Sequence, residues 1–350
     1  MAMHAYLREG VDTAVIECGI GGEYDSTNII HHPTVSAITS LGIDHVAMLG
    51  STLPEIAWHK AGIFKEGAVA LTVPQPEEAM EVLRQRAGEK GATLHTITRH
   101  PDLQTLKLGL SADFQKTNAS LAIAIAAAHL RALGDSSMPT SLADISNWTL
   151  PPEFRRGLEK VRWPGRCEIR REKNVAWHID GAHTLDSIEV AGRWFSEEIA
   201  AAAAKSSASA SAKPRILIFN QQTRDAASLA KALHGALAAG LEAEQPFTHA
   251  VFSTNLTFVE TGYKPDLVSV NTNADDVEKL AVQEALARTW AEIDPKTEVR
   301  VMRTIEEAVG WAREIAREAV GEASDDEVMV LVTGSLHLVG GALEVLDSAA

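Results

Sequence analysis

Short, nearly continuous apolar runs alternate along this chain with longer helix-patterned stretches, and that alternation restricts the fold more than any other feature. Strands buried on both faces of a parallel sheet read as unbroken apolar runs, because helices cover both sides. The first half predicts such strands at Thr13–Cys18, Val35–Ser40, Ala68–Val73 and, more weakly, Thr93–Thr98. The second half predicts them at Arg215–Asn220, His249–Ser253, Val299–Met302 and Val328–Thr333. Before these, Cys167–Arg171 and Val175–Ile179 read as a strand pair around a Glu-Lys-Asn turn. Helices are expected at Leu185–Ala202, Ala226–Ala238, Asp276–Ile293 and Ile305–Ala319. The last repeats Ile305, Ala308, Val309, Ala312, Ile315 and Ala316 at helical period. The class is therefore α/β.

Local punctuation supports this reading. Thr52 and Glu55 have capping-box spacing, Pro54 is tolerated in a first turn, and Gly62 falls near the expected helix end. The Ala-rich stretch from Ala119 to Leu130 ends at Arg131 and reads as a core helix. Ser, Pro, Asp and Thr crowd the stretch Asp135–Pro152, which places a domain boundary there and divides the chain into 1–150 and 151–350. A length of 350 residues also favours two domains, since single cores stop growing beyond about 250–300 residues. Ala200–Pro214 is of low complexity and reads as a disordered loop extending the preceding helix, and Leu256–Ala274 reads as a long polar insertion.

A formal charge of −15 argues against a nucleic-acid-binding face, because phosphate backbones require a basic surface. It leaves room for small anionic ligands, which need only a few local cations. Two cysteines, Cys18 and Cys167, give no disulfide framework and read as reduced intracellular thiols. No apolar run approaches the roughly 20 residues that span a bilayer, and the first residues show neither signal nor transit pattern.

Several residues stand where α/β sheets place their chemistry. Glu17 closes an apolar run and is followed by glycines, so its carboxylate is expected at the C-terminal edge of a strand; an ion-paired structural role is the plain alternative. His45 follows the next strand, beside Asp44. Magnesium prefers oxygen ligands, so imidazole alone does not announce a magnesium site. Lys60 on the following helix reads on its own as a solvated charge, with Lys65 as a neighbouring one. Gln115 and Asn118 share a helix face, as a polar cluster or as amide donors and acceptors for a ligand. Arg166 precedes one strand of the hairpin, and Asp180 and His183 follow the other. Gly334 and Ser335 end the last strand, either as an anion-holding turn or as tight packing. Arg224 and Asp225 are weaker candidates.

Taken together, the segments VIECGIGGEYDSTN (15–28), SLGIDHVAMLGSTLPEIAWHKAGIFK (40–65) and WPGRCEIRREKNVAWHIDGAHT (163–184) resemble the folylpolyglutamate synthases of the Mur ligase superfamily. FQKTNASLA (114–122), ILIFNQQTRD (216–225) and VLVTGSLHLVGG (330–341) extend the resemblance over almost the whole chain. It implies a Mur-ligase-like fold, a P-loop-type central domain followed by a Rossmann-like C-terminal domain. The implied reaction is ATP-dependent addition of L-glutamate to folate through an acyl phosphate, in one-carbon metabolism, by a monomer that is cytoplasmic with mitochondrial forms. ATP, Mg2+ and a monovalent cation such as K+ are the implied cofactors.

Residue by residue, the resemblance implies metal ligation by Glu17, His45 and Lys60, the lysine as a carbamate, with Asp44 orienting the imidazole. It brings Asn118 to the adenine, Arg166 to the ATP phosphates and Asp180 to the ribose hydroxyls. Lys60 and His183 are the implied catalytic residues, and domain closure is expected to assemble the site. One departure matters. Enzymes of this family grip phosphate with a glycine-rich loop ending in Gly-Lys-Ser/Thr, and this sequence contains no Gly-Lys dipeptide. The first segment of the central domain is therefore expected to be lacking, with a sheet edge left open and little ligase activity in these 350 residues alone. Dihydrofolate synthase and a non-catalytic remnant are the alternatives.

Overall fold

A computed structural model describes residues 2–205, 213–222, 224–259, 280–320 and 326–348. They form two compact units. The first holds the residues up to Leu108 together with Phe114–Lys160, and the second holds Gly109–Asp113 and the chain from Val161 onward.

In the first unit, β1 (Val35–Ile38), β2 (Val69–Thr72) and β3 (Thr93–Thr96) form a parallel sheet in that order, with Val35 opposite Val69 and Val69 opposite Thr93. Two helical layers explain the apolar runs. On one face Ala70 packs with Ala57, Ala61 and Phe64 around α3 (Leu53–Lys60) and with Ala79, Met80 and Leu83 of α4 (Glu77–Lys90). On the other, Leu71 meets Leu121, Ile123 and Ala124 of α5 (Gln115–Ala132). The helix α6 (Pro152–Lys160) adds Phe154 and Leu158 to this second cluster. Short α1 (Ala2–Glu9) buries no residue, and α2 (Val46–Leu49) precedes α3. The capping box forms as read: the Glu55 N–H donates to the Thr52 hydroxyl and the Glu55 carboxylate accepts from the Thr52 N–H. Such a cap stabilises a helix by about 1 kcal/mol.

One expectation fails here. Thr13–Cys18 is not a buried strand but an irregular stretch without a ladder, and Val15 is 92% exposed. Apolar, β-branched residues form a strand only where their N–H and C=O groups find a neighbouring backbone. No described residue supplies one, and β1 remains an edge.

The second unit is a six-stranded sheet in the order β4 (Glu168–Glu172), β5 (Val175–Ile179), β9 (Val328–Thr333), β6 (Arg215–Phe219), β7 (His249–Leu256), β8 (Glu298–Thr304). Only the β4–β5 hairpin is antiparallel, turning at Asn174 in the left-handed region. Helix α7 (Leu185–Lys205) packs on α8 (Ala226–Leu241), and α8 on α9 (Ala281–Ile293), on one face of the sheet. There Phe195 of α7 meets His178, and Trp290 of α9 meets Phe252. Helices α10 (Ile305–Val320) and α11 (Leu336–Ser348) cover the other face, over Trp177, Ile179, Ile218, Val251, Val330 and Val332.

Part of the expected loop at Ala200–Pro214 is instead helix, because α7 continues to Lys205 through an alanine run of high helix propensity. Residues 206–212 lie outside the described residues, as do 260–274 of the polar insertion and 276–279 of the helix expected from Asp276.

Candidate functional site

The chain leaves β5 and β6 toward one face of the second sheet and leaves β9, which lies between them, toward the other. Connections that part in this way open a crevice at the carboxyl ends of the strands, the usual ligand position in open α/β sheets. Three sequence motifs meet there. The Gly181 N–H donates to the Gly165 carbonyl at 2.9 Å, joining WPGR to DGAH. The Gly334 N–H donates to the Ala182 carbonyl at 3.0 Å, joining DGAH to the turn after β9. Gln221, after β6, donates its amide to the Gly334 carbonyl at 2.9 Å. Gly334 sits at φ 105, and a Cβ there would press on the Asn220 carbonyl and the Phe219 ring, so only glycine suits this junction.

Asp180 is the buried acid of the crevice, 4% exposed. One carboxylate oxygen accepts the Cys167 N–H at 2.9 Å and its S–H at 3.3 Å, and the other accepts the Ala182 N–H at 2.9 Å. Burial pushes its pKa upward, while the Cys167 donors, the nearby Arg166 charge and the Ala182 N–H pull it back. The Cys167 thiol is pushed far up, first by burial and then by the Asp180 charge. His183 hydrogen-bonds through Nδ1 to the Gly181 carbonyl at 2.8 Å; a carbonyl only accepts, so Nδ1 carries a proton. The Ser187 hydroxyl takes the His183 and Thr184 N–H groups at the start of α7. These backbone links bring the segments that carry Arg166, Asp180, His183 and Gly334 to one end of the second sheet.

Sequence reasoning missed the buried amides beside them. Asn220 donates to Asn255 at 2.8 Å and accepts from Gln283 at 2.8 Å, and Asn255 donates to Gln222 at 3.1 Å. The available signal was the polar Asn-Gln-Gln directly after the apolar Ile216–Phe219 run. Asp225, a weak candidate, caps α8 by accepting the Ser228 N–H.

In the first unit, the loop Gly19–Asn28 packs on the end of α3. The Glu23 N–H donates to the His59 carbonyl at 2.7 Å, and the Asn28 amide spans the Glu23 and Gly62 carbonyls. A Cβ at Gly62 would collide with Glu23, so glycine permits this close approach. Asp25 folds the loop on itself: the Thr27 hydroxyl and the Ile20 and Thr27 N–H groups hold its carboxylate down to about 2. Leu49 of α2, the short helix capped by His45, lies against Gly21, and the α3 end that carries Lys60 lies against Gly22, while Glu17 precedes the loop.

Their side chains are nevertheless not assembled as ligands. Glu17 is exposed in the unpaired stretch, and His45, in the left-handed region at φ 51, faces Asp44 at 3.8 Å. No group of three His, Cys, Asp or Glu side chains able to hold a metal occurs among the described residues. The residues as placed do not fit a bound magnesium ion. Asn118 donates to Gln115 at 2.9 Å on the first turn of α5, the shared face that their spacing implied.

No family model matches the chain. Curated relatives do. The folylpolyglutamate synthase of Neurospora crassa is 45% identical over 350 residues, covering 100% of this chain and 63% of the relative. That of Saccharomyces cerevisiae (strain FostersO) is 40% identical over 349 residues, covering 99% of this chain and 60% of the relative. Among solved structures, Mycobacterium tuberculosis folylpolyglutamate synthase complexed with ADP aligns with a TM-score of 0.68 at 23% identity, over 99% of this chain and 70% of that one. The Thermotoga maritima enzyme aligns with a TM-score of 0.62 at 20% identity, over 99% and 68%.

The fold is therefore the two-domain α/β fold of the Mur ligase type. Within that class, the chain is related to the folylpolyglutamate synthases along its whole length, and it spans about three fifths of the length of the curated relatives it matches.

Proposed function

We propose that this chain serves ATP-dependent addition of glutamate to a folate. ATP phosphorylates the terminal carboxylate of the folate, the glutamate amine attacks the acyl phosphate, and an amide, ADP and phosphate result. The observation that carries this reading is the meeting of Arg166, Asp180, His183 and Gly334 in one crevice, in a chain 45% identical to a folylpolyglutamate synthase.

On the second unit we assign Arg166 to the phosphates of ATP, where a planar set of donors matches anionic oxygens. Asp180 is assigned to the ribose hydroxyls, as an anionic acceptor held in place by three protein donors. His183 is assigned to the reacting groups. On the first unit we assign Asn118 to the adenine and Lys60, as a carbamate, to the reaction centre. A bound magnesium ion would supply charge compensation for a transferring phosphoryl group. Glu17, His45 and Lys60 would be its ligands only after rearrangement.

Without a Gly-Lys phosphate loop, the 350 residues assayed alone are expected to turn over slowly or not at all. The test is nucleotide binding by the purified chain together with glutamate incorporation, with tetrahydrofolate and dihydropteroate side by side. ATP binding that is weakened about tenfold by Arg166→Ala supports the reading. Absence of any ATP binding, or binding indifferent to Arg166 and Asp180, removes it. Preference for dihydropteroate would replace the folate by its precursor.

A further inference from the structure

Arg86 joins three separate segments of the first unit. Its guanidinium donates to the Glu23 carboxylate at 2.5 Å and to Glu89 at 2.8 Å, and it stacks over the Trp58 ring at 4.4 Å. Glu23 also receives Lys90 at 3.1 Å. The Arg86 side chain is 9% exposed and that of Glu23 20%, so the pair is shielded far more than a surface ion pair. Trp58 lies two residues before Lys60 on α3, and Glu23 lies inside the Gly19–Asn28 loop. One side chain of α4 therefore fixes the end of α3 and the loop against each other.

The contact pattern distinguishes this from general packing. The loop touches α3 through groups that have little choice of register. The Glu23 N–H meets the His59 carbonyl, the Asn28 amide reaches the Gly62 carbonyl, and Gly62 admits Glu23 closely. None of these involves a charged pair, and the loop backbone lies close to Lys60, since a Cβ at Gly22 would meet the Lys60 and His59 carbonyls. The ion pair supplies what they lack, a long lever from α4 that resists sliding of the loop along the helix.

We propose that Arg86 and Glu23 are positioning residues, which set the Gly19–Asn28 loop against the α3 end that carries Lys60. The proposal rests on the functional reading of Lys60 given above, and its geometric half stands apart from that reading. Arg is required for a simultaneous fork and ring stack, and Lys retains the charge but not the planar geometry.

Amide hydrogen exchange on the full chain tests it, comparing wild type with Arg86→Met, Glu23→Gln and Arg86→Lys. The first two should speed exchange about tenfold in residues 19–28 and 58–63 while β2 and β3 keep their protection, and Arg86→Lys should recover part of the loss. Unchanged exchange in those segments, or a uniform rise across the whole unit, overturns the proposal. In parallel, 13C-bicarbonate NMR reads carbamate at Lys60, identified by its loss in Lys60→Ala. A weaker carbamate signal in Arg86→Met at equal bicarbonate supports positioning of Lys60, and an identical one refutes it. No carbamate in wild type removes the functional reading of Lys60, and hydrogen exchange then decides the geometric half by itself.

Discussion

The Asp180 carboxylate holds the Cys167 backbone N–H at 2.9 Å and lies 3.3 Å from the Cys167 sulfur, so acid and thiol share one buried corner of the crevice. Burial and the carboxylate charge both disfavour the thiolate, the form that reacts with alkylating reagents. Cys18 is only half-buried, with the Thr27 hydroxyl at 3.4 Å. In the native chain at mildly alkaline pH, iodoacetamide should therefore label Cys18 and leave Cys167 unmodified until the unit unfolds. Peptide mass spectrometry over a time course checks this; labelling of Cys167 at a rate equal to that of Cys18 would contradict it.

Asp25 makes an acid-stability prediction with a definite sign. Its folded-state pKa lies below the ordinary value, at about 2 against 3.8, chiefly through the Thr27 hydroxyl. A depressed acid stabilises the fold above its unfolded pKa, and that contribution disappears as pH falls through the folded value. Asp25→Asn should thus flatten the loss of stability between about pH 4 and pH 2, and it should lower stability at neutral pH. Urea unfolding at a series of pH values measures both effects. Because the side chain is barely buried, solvent screening keeps the difference modest.

Gly334→Ala should destabilise the second unit by about 2 kcal/mol or more, since a Cβ at φ 105 is strained and also meets the Asn220 carbonyl. Thermal unfolding should show the drop, whereas Gly310→Ala, in open space on α10, should not lower stability. Equal effects from both substitutions would show that the junction at Gly334 is not special.

Arg166→Ala should weaken ATP binding about tenfold, in line with loss of one charge-assisted contact. The substitution should change thermal stability little, because Asp180 and His183 are held by the Cys167 and Ala182 N–H groups and the Gly181 carbonyl and not by that side chain. Isothermal titration calorimetry with unfolding controls separates the two. A stability loss that accounts for the whole affinity change would assign Arg166 a structural role.

Much of this architecture was written locally. Apolar runs gave β1, β2, β3 and the strands of the second sheet, and the Thr52–Glu55 box marked the start of α3, because periodicity and capping act within a few residues. The hairpin that Arg166 precedes and Asp180 follows was legible for the same reason, while their roles came only from the resemblance of WPGR and DGAHT to a family. Folding alone settled the rest. Thr13–Cys18 carries strand-forming residues yet has no ladder partner among the described residues, so Glu17 stands exposed instead of emerging from a sheet. The link from Glu23 to Arg86 spans 63 positions, and that from Gln221 to Gly334 spans 113. No local pattern announces such pairs, because a buried charge or amide finds its partner only once distant segments have packed together.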